Sequence, residues 1–281
     1  MTMISYAQNA EDVLLRRLFP DDYVGFYVDV GANDPIENSV TRHFSERGWR
    51  GVNVEPGRAM FDRLVIDRPR DVNLHTALSN REGVLPFFEI QPHGSLSTLD
   101  EETARRHADA GYSVTRREMP VTTLGAVLER HAPATVDFVS IDVEAHEREV
   151  LEGVDWTRHR PRVVIVEATR PNQRAPAHEQ WEPILLGQGY LFATFDGLNR
   201  FYVREEDRSL ADRLAVPANV FDDFIPWLYA RRIRELEQSL ADTGLQLAAA
   251  ETLLGSAGLI GKARLRLRRA GRAAARLFAS L

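Results

Sequence analysis

The stretch that most constrains this chain is Gly25 to Pro35, Gly-Phe-Tyr-Val-Asp-Val-Gly-Ala-Asn-Asp-Pro, where a buried-strand pattern meets a helix start through a tight turn. Aromatic and β-branched residues run to Asp29-Val30, and Gly31 removes the side chain where the chain must reverse. Asn33 or Asp34 is placed to cap a following helix, and Pro35 suits its first turn. Strand, glycine turn and helix N-terminus make the nucleotide pocket of a parallel α/β sheet, because free backbone N–H groups gather at the strand's carboxyl end. A ligand is expected at this turn.

What is missing narrows the ligand. A dinucleotide fingerprint needs two further glycines for pyrophosphate approach and close helix packing, and here Asn33 stands at the second position. Asp29 would repel phosphate but attract a cationic ammonium or sulfonium group. The next strand pattern, Gly51-Val52-Asn53-Val54-Glu55, ends in an acid placed to hydrogen-bond a ribose diol. Together the two acids read as a site for S-adenosylmethionine.

A chain of 281 residues, 44% hydrophobic and 27% charged, can bury one catalytic core and carry an appendage. It has no cysteine, which excludes disulfides, thiolate metal sites and a cysteine nucleophile. No stretch approaches the roughly 18 apolar residues of a spanning helix, and Met1 to Pro20 lacks a signal peptide's apolar centre. A cytoplasmic location is expected. The formal charge of −6 is uneven, since Lys262, Arg264, Arg266, Arg268, Arg269, Arg272 and Arg276 form an acid-free +7 tail and leave −13 on the remainder. So acidic a body argues against nucleic acid as the main partner.

Along the chain, Ser5 is placed to cap a helix carrying Val13, Leu14, Leu15 and Leu18. Val40 and Phe44 mark a helix ending near Gly48, and Pro56 opens another with Met60, Phe61, Leu64 and Val65. Val72 to Leu78 reads as the third strand, and Val84 to Ile90 as an extra strand at the sheet edge. From Gln91 to Met119 the pattern weakens into a long insertion, either a lid or a surface excursion. Thr122 or Thr123 caps a helix to about His131, and Val136 to Ile141 gives strand four, ending on Asp142. A helix with Val150 and Leu151 closes at Gly153, and Arg162 to Val166 is a strand ending on Glu167. Trp181 to Leu186 is helical, and Tyr190 to Phe195 and Phe201 to Val203 form a closing hairpin. The expected fold is α/β: a seven-stranded, mostly parallel doubly wound sheet with a terminal antiparallel hairpin over residues 1–208, then a helical extension over 209–281.

In that extension Ile225, Leu228, Ile233, Leu236, Leu240, Leu245 and Leu247 recur at three- and four-residue steps. One reading is a helix that packs on the domain or pairs with a second copy as a homodimer. Another concerns the tail, whose Leu265, Leu267, Leu277 and Phe278 among arginines suit an anionic membrane surface.

Ser140-Ile141-Asp142-Val143-Glu144-Ala145-His146-Glu147 is the richest cluster for chemistry. Strand four ends where ligands of such sheets bind, so Asp142, Glu144 and His146 fall on its strand-to-helix turn. Methyl transfer to oxygen needs alignment and a base. His146 has the intrinsic pKa for that base, while Glu144 or Asp142 could orient it or take the proton directly. Equally, His146 could cap the following helix or bind a backbone carbonyl. Asp142 and Glu167 could share a divalent cation gripping a substrate hydroxyl pair, or meet only water and substrate. The other histidines show no metal-ligand spacing, and His93 in the insertion is the one to follow.

Asp29-Val30-Gly31-Ala32-Asn33-Asp34-Pro35, Asn53-Val54-Glu55-Pro56, Ala77-Leu78-Ser79, Ser140-Ile141-Asp142-Val143-Glu144 and Phe195-Asp196-Gly197-Leu198-Asn199-Arg200-Phe201-Tyr202-Val203 occur in this order. With the opening Tyr6-Ala7-Gln8-Asn9-Ala10-Glu11-Asp12, this pattern resembles the FkbM-type S-adenosylmethionine-dependent methyltransferases from about Ser5 to Arg204. The resemblance implies a Rossmann-like class I methyltransferase fold and O-methylation of hydroxyls on surface-glycan sugars or on metabolites such as macrolides. It implies that Asp29, Gly31 and Asn33 face the methionine end of the cofactor, Glu55 the ribose, and Ala77 with Leu78 the adenine. Asp142, Glu144 and His146 would then border the acceptor, with Asp142 also near the cofactor. The family commonly has glycine between that glutamate and histidine, where this chain has Ala145. The basic tail lies outside the resemblance.

The expected activity is S-adenosylmethionine-dependent O-methylation of a sugar hydroxyl in a surface glycan, glycolipid or glycosylated metabolite. A lipid-linked glycan at the inner membrane would fit the tail. The alternatives are tailoring of a macrolide or other polyketide, and a catalytically silent scaffold in a glycan-assembly complex.

Overall fold

The computed structural model describes residues 2–171, 173 and 175–256, with side chains to residue 253. The chain divides into two compact units, the first ending at Trp227 and the second beginning at Leu228. The expected boundary at 208 thus falls inside the first unit, because Leu210 and Leu214 are buried among its core side chains. The basic tail expected from 259 lies outside the described residues.

In chain order the first unit opens with β1 (Met3–Ser5) and α1 (Glu11–Arg16), then β2 (Phe26–Val30), α2 (Arg42–Glu46), β3 (Arg50–Val54) and α3 (Arg58–Asp67). It continues with β4 (Val72–Leu74), β5 (Ala77–Leu78), β6 (Gly83–Gln91), α4 (Glu101–Asp109), β7 (Ser113–Thr122) and α5 (Leu124–His131). Next come β8 (Phe138–Ile141), α6 (Glu147–Glu152), β9 (Val163–Glu167), α7 (Glu182–Leu186), β10 (Tyr190–Phe195), β11 (Asn199–Arg204) and β12 (Phe224–Pro226). The helix α8 (Trp227–Ser256) follows.

The main sheet is mixed and has seven strands in the order β10-β11-β9-β8-β2-β3-β4. The steps from β9 through β4 are all parallel, and β11 runs antiparallel to both its neighbours. Continuous apolar runs such as Val163–Val166 form the central strands because both sheet faces are covered. On one face Val28, Val30, Val139, Ile141, Val164 and Val166 pack against Leu124, Val127 and Leu128 of α5 and Val150 and Leu151 of α6. On the other, Tyr27, Phe138, Val163 and Ile165 pack against Leu14 and Leu15 of α1 and Phe44 of α2.

Several local expectations are corrected. No helix starts at Asn33-Asp34-Pro35; Asp34 Oδ1 instead accepts from the N–H groups of Ile36 and Glu37, at 2.9 and 3.1 Å, and the chain stays irregular until α2. Ser5 lies in β1 and donates its hydroxyl to Asp12 at 2.6 Å rather than capping α1. The third strand breaks after Leu74, and Ala77–Leu78 joins a separate three-stranded sheet, β5-β7-β6, which also takes the strand expected at the main sheet's edge. The weakly patterned insertion is therefore an ordered hairpin of β6 and β7 enclosing α4. Among the described residues no helix is long and apolar enough to cross a membrane.

Candidate active site

The site follows from where neighbouring parallel strands stop. Val30 pairs in register with Val54 and Ile141, and Ile141 pairs with Val166. One residue further along stand Gly31, Glu55, Asp142 and Glu167, so four strand tips bring a glycine and three acids to one rim. Gly31 has φ +82°, and a Cβ there would lie 1.8 Å from the Asp142 carbonyl oxygen. Only glycine fits.

Glu55 is buried, and its two carboxylate oxygens accept from the backbone N–H groups of Asn33 at 2.7 Å and Gly57 at 2.6 Å. Burial pushes its carboxyl up to about 7, although both N–H groups pull it down. With Ala77, Leu78, Phe87 and Leu99 it lines a narrow cleft of about 50 Å³, a slot whose wall also carries Gly31, Asn33, Asp142 and Glu144. Asn33 itself is left-handed at φ +48°, which belongs to the turn that presents its N–H.

Gly31, Asn33, Ser95, Asp142 and Glu144 also line a second cavity of about 570 Å³. Asp29 reaches it, buried, with the Thr41 hydroxyl donating to Oδ2 at 2.8 Å, and burial pushes its carboxyl up to about 6. Ligand oxygens of Asp142, Glu144 and Glu167 lie within 4.8 Å of one another. Burial is the main cause raising each of the three carboxyls, and like charge raises Glu144 and Glu167 further, to well above the ordinary range. Glu144 Oε2 and Glu167 Oε2 are buried and meet no hydrogen-bond donor.

The turn after β8 is strained and braced. Glu144 and Ala145 are consecutive left-handed residues, at φ +56° and +77°. The buried Glu147 accepts from the N–H groups of Val143 and Ala145, at 3.3 and 3.1 Å, while the Thr98 hydroxyl from the insertion donates to the Glu144 carbonyl at 2.6 Å. Thr98 thus ties the insertion to the rim.

Most of the sequence-derived site residues meet here: Gly31, Asn33, Glu55, Ala77, Leu78, Asp142 and Glu144 line the slot, and Asp29 lines the adjoining cavity. His146 lines neither. Its ring contacts the Ser79 hydroxyl at 3.1 Å and the Glu149 carboxylate at 3.5 Å, and burial lowers its pKa. The histidine that does line the large cavity is His93, whose ring meets Tyr112 edge-on at 5.9 Å.

Glu11, Tyr112 and Asn199 were given no role by the sequence, yet they line the same cavity. Glu11 accepts from the Asn199 amide at 2.6 Å and the Asn9 N–H at 2.7 Å. Its sequence signals were a place in the opening motif of the resemblance, which assigned it no role, and an acid in a helix's first turn, which reads as an ordinary response to the helix dipole. The partner that buries it stands 188 residues away.

The sequence model of the methyltransferase FkbM domain matches residues 29–192. No curated protein matches. Among solved structures, methyltransferase FkbM from Methylobacillus flagellatus KT aligns at 16% identity and TM-score 0.37, covering 66% of this chain and 44% of that one. This chain thus spans less than half of that protein's length. A SAM-dependent methyltransferase from Leishmania major aligns at 8% identity and TM-score 0.34, covering 69% of this chain and 72% of that one.

Proposed function

Because the chain belongs to the methyltransferase FkbM domain family, we propose that it is a class I, S-adenosylmethionine-dependent O-methyltransferase acting on a sugar hydroxyl of a glycan, glycolipid or glycosylated metabolite. The observation that carries this reading is Glu55, a carboxylate locked by two backbone N–H groups at one strand tip, in a slot continuous with an acid-lined cavity at the next. The residues fit the cofactor. Each Glu55 oxygen keeps a lone pair for a ribose hydroxyl, the walls formed by Ala77, Leu78 and Phe87 suit an adenine, and Gly31 leaves room for close approach. Asp29 and Asp142 would face the cationic methionine end. When bound, S-adenosylmethionine supplies a methyl group already activated for transfer to oxygen.

The chain's own part is to hold and prepare the acceptor. The large cavity offers donors and acceptors on Gln8, Tyr112, Thr169 and Asn199, chemistry suited to a polyhydroxylated ring. Asp142 and Glu144 lie in the wall shared by slot and cavity, so a hydroxyl there stands beside their carboxylates. With no ion bound, either carboxylate, its proton affinity raised by burial, can take the hydroxyl proton as the new bond forms. His146 lines neither slot nor cavity and turns its ring to Ser79 and Glu149, so this reading gives it no contact with the reacting oxygen.

Calorimetry of the full chain with S-adenosylhomocysteine, followed by label transfer to glycan acceptors, tests the reading. Tight binding is expected, with Glu55→Ala weakening it roughly ten- to hundredfold, the range for hydrogen bonds to a charged group worth about 1.5–3 kcal/mol. A chain that ignores S-adenosylhomocysteine would sink the proposal.

A further inference from the structure

We propose that Asp142, Glu144 and Glu167 hold a divalent cation whose open positions take two adjacent oxygens of the acceptor, which makes the acceptor a vicinal diol. The last clause rests on the methyltransferase reading above; the cation site does not. Three side chains offer oxygens within 4.8 Å of one another, a spacing that a single ion can bridge. Glu167 adds a second observation: it is only 7% exposed, it faces the large cavity, its carboxyl hydrogen-bonds with Asp142, and its Oε2 meets no donor. A buried carboxylate oxygen without a partner is costly, and a cation removes that cost for Glu144 and Glu167 together.

The charge balance of the cavity points the same way. Glu11, Asp29, Asp142, Glu144 and Glu167 line it, and among the described residues that line it none is lysine or arginine. Among the described residues no ion pair reaches any of the three acids.

An all-carboxylate donor set selects a hard ion such as Mg²⁺, Mn²⁺ or Ca²⁺ over zinc or copper. Three protein ligands leave part of the coordination sphere open, and that part faces the cavity where the acceptor would lie. Asp142 and Glu167 sit on strand ends, and Glu144 is fixed by its braced turn, so the ligands are pre-positioned. The proton lost by a cation-bound hydroxyl would pass to water in the open cavity, leaving the ligating carboxylates ionised.

The test is binding of Mn²⁺ to the full chain, followed by the paramagnetic resonance of the free ion, with calorimetry of S-adenosylhomocysteine in parallel. One site is expected, emptied competitively by Mg²⁺ or Ca²⁺. Glu167→Gln and Asp142→Asn should each weaken it by at least the roughly 10–100-fold that loss of an outer-shell partner costs, while thermal unfolding shows both variants folded. Undiminished free-ion signal at millimolar Mn²⁺, or equal affinity in wild type and both variants, would overturn the site. If S-adenosylhomocysteine still binds in that case, only the cation falls; if the nucleoside fails to bind while Mn²⁺ does, the methyltransferase reading falls and the cation stands.

Discussion

Ala145 holds a backbone that favours glycine, at φ +77° beside Glu144 at +56°. The left-handed region costs an L residue about 1–2 kcal/mol, whereas glycine's greater freedom in the unfolded chain costs about 0.4–1 kcal/mol. Ala145→Gly is therefore expected to stabilise the protein by roughly 0.5–1 kcal/mol, read as a higher urea midpoint at unchanged slope. A lower midpoint would mean that Glu147 and Thr98 have already relieved the strain. The departure from the family's usual glycine was visible in the sequence, but its consequence was not, since only φ separates an eased turn from a strained one. The roles of His146 and His93 were illegible for a related reason. Both are single histidines near the right strand ends, and which one faces the cavity depends on the direction of a side chain and on an insertion 50 residues away in sequence.

At the level of elements, the strand tips were legible because buried parallel strands are written as continuous apolar runs ending in Gly31, Glu55, Asp142 and Glu167. The segment between β2 and α2 was not. It reads as a helix start, yet it runs as an irregular loop held from outside by Arg68, a residue of the next helix's C-terminus. The Arg68 guanidinium is 1% exposed and donates to the carbonyls of Pro35 and Thr41, at 2.8 and 3.4 Å, to the Ser39 hydroxyl at 3.0 Å and to the Tyr27 hydroxyl at 3.2 Å. Asp71, at 3.8 Å, balances its charge. Its bonds to the Pro35 and Thr41 carbonyls stand in for hydrogen bonds that a helix would have made internally. Arg68→Leu would take the donor from the Pro35 and Thr41 carbonyls and the counter-charge from the buried Asp71, which keeps only the neutral donors of Tyr27, Gly51 and Asn53, so a loss of about 3–5 kcal/mol is expected in denaturant unfolding. S-adenosylhomocysteine affinity should fall with it, because Asn33 and its N–H to Glu55 belong to the loop so released. Unchanged stability would show that the loop holds itself.

Across the whole molecule, gathering acids on one rim ties stability to pH. A buried carboxyl whose pKa is higher in the folded protein keeps its proton while the unfolded chain has lost it, so stability falls as pH rises between the two values and the full penalty applies above the higher one. Burial raises Glu11 from 4.5 to about 8, helped by Asp196, and raises Glu55 from 4.5 to about 7. His43 works in the opposite sense: burial lowers it from 6.5 to about 4, so it adds stability as pH rises through that range and nothing further above 6.5. Glu206, lowered to about 2 by Arg160, has finished titrating well below this window. From pH 6.5 to about 8 the buried carboxyls therefore act without that offset, and the thermal midpoint of the ligand-free protein in chelator is expected to decline steadily across it. A flat or rising midpoint would mean that Glu11 and Glu55 ionise without cost in the fold. The decline has a functional reading as well, because a rim that is destabilised by its own negative charge is one that a cationic ligand can stabilise by binding. S-adenosylmethionine, which carries the sulfonium, should then raise the midpoint more at pH 8 than at pH 6.5, and a protection equal at both would separate the rim's charge from recognition of the ligand.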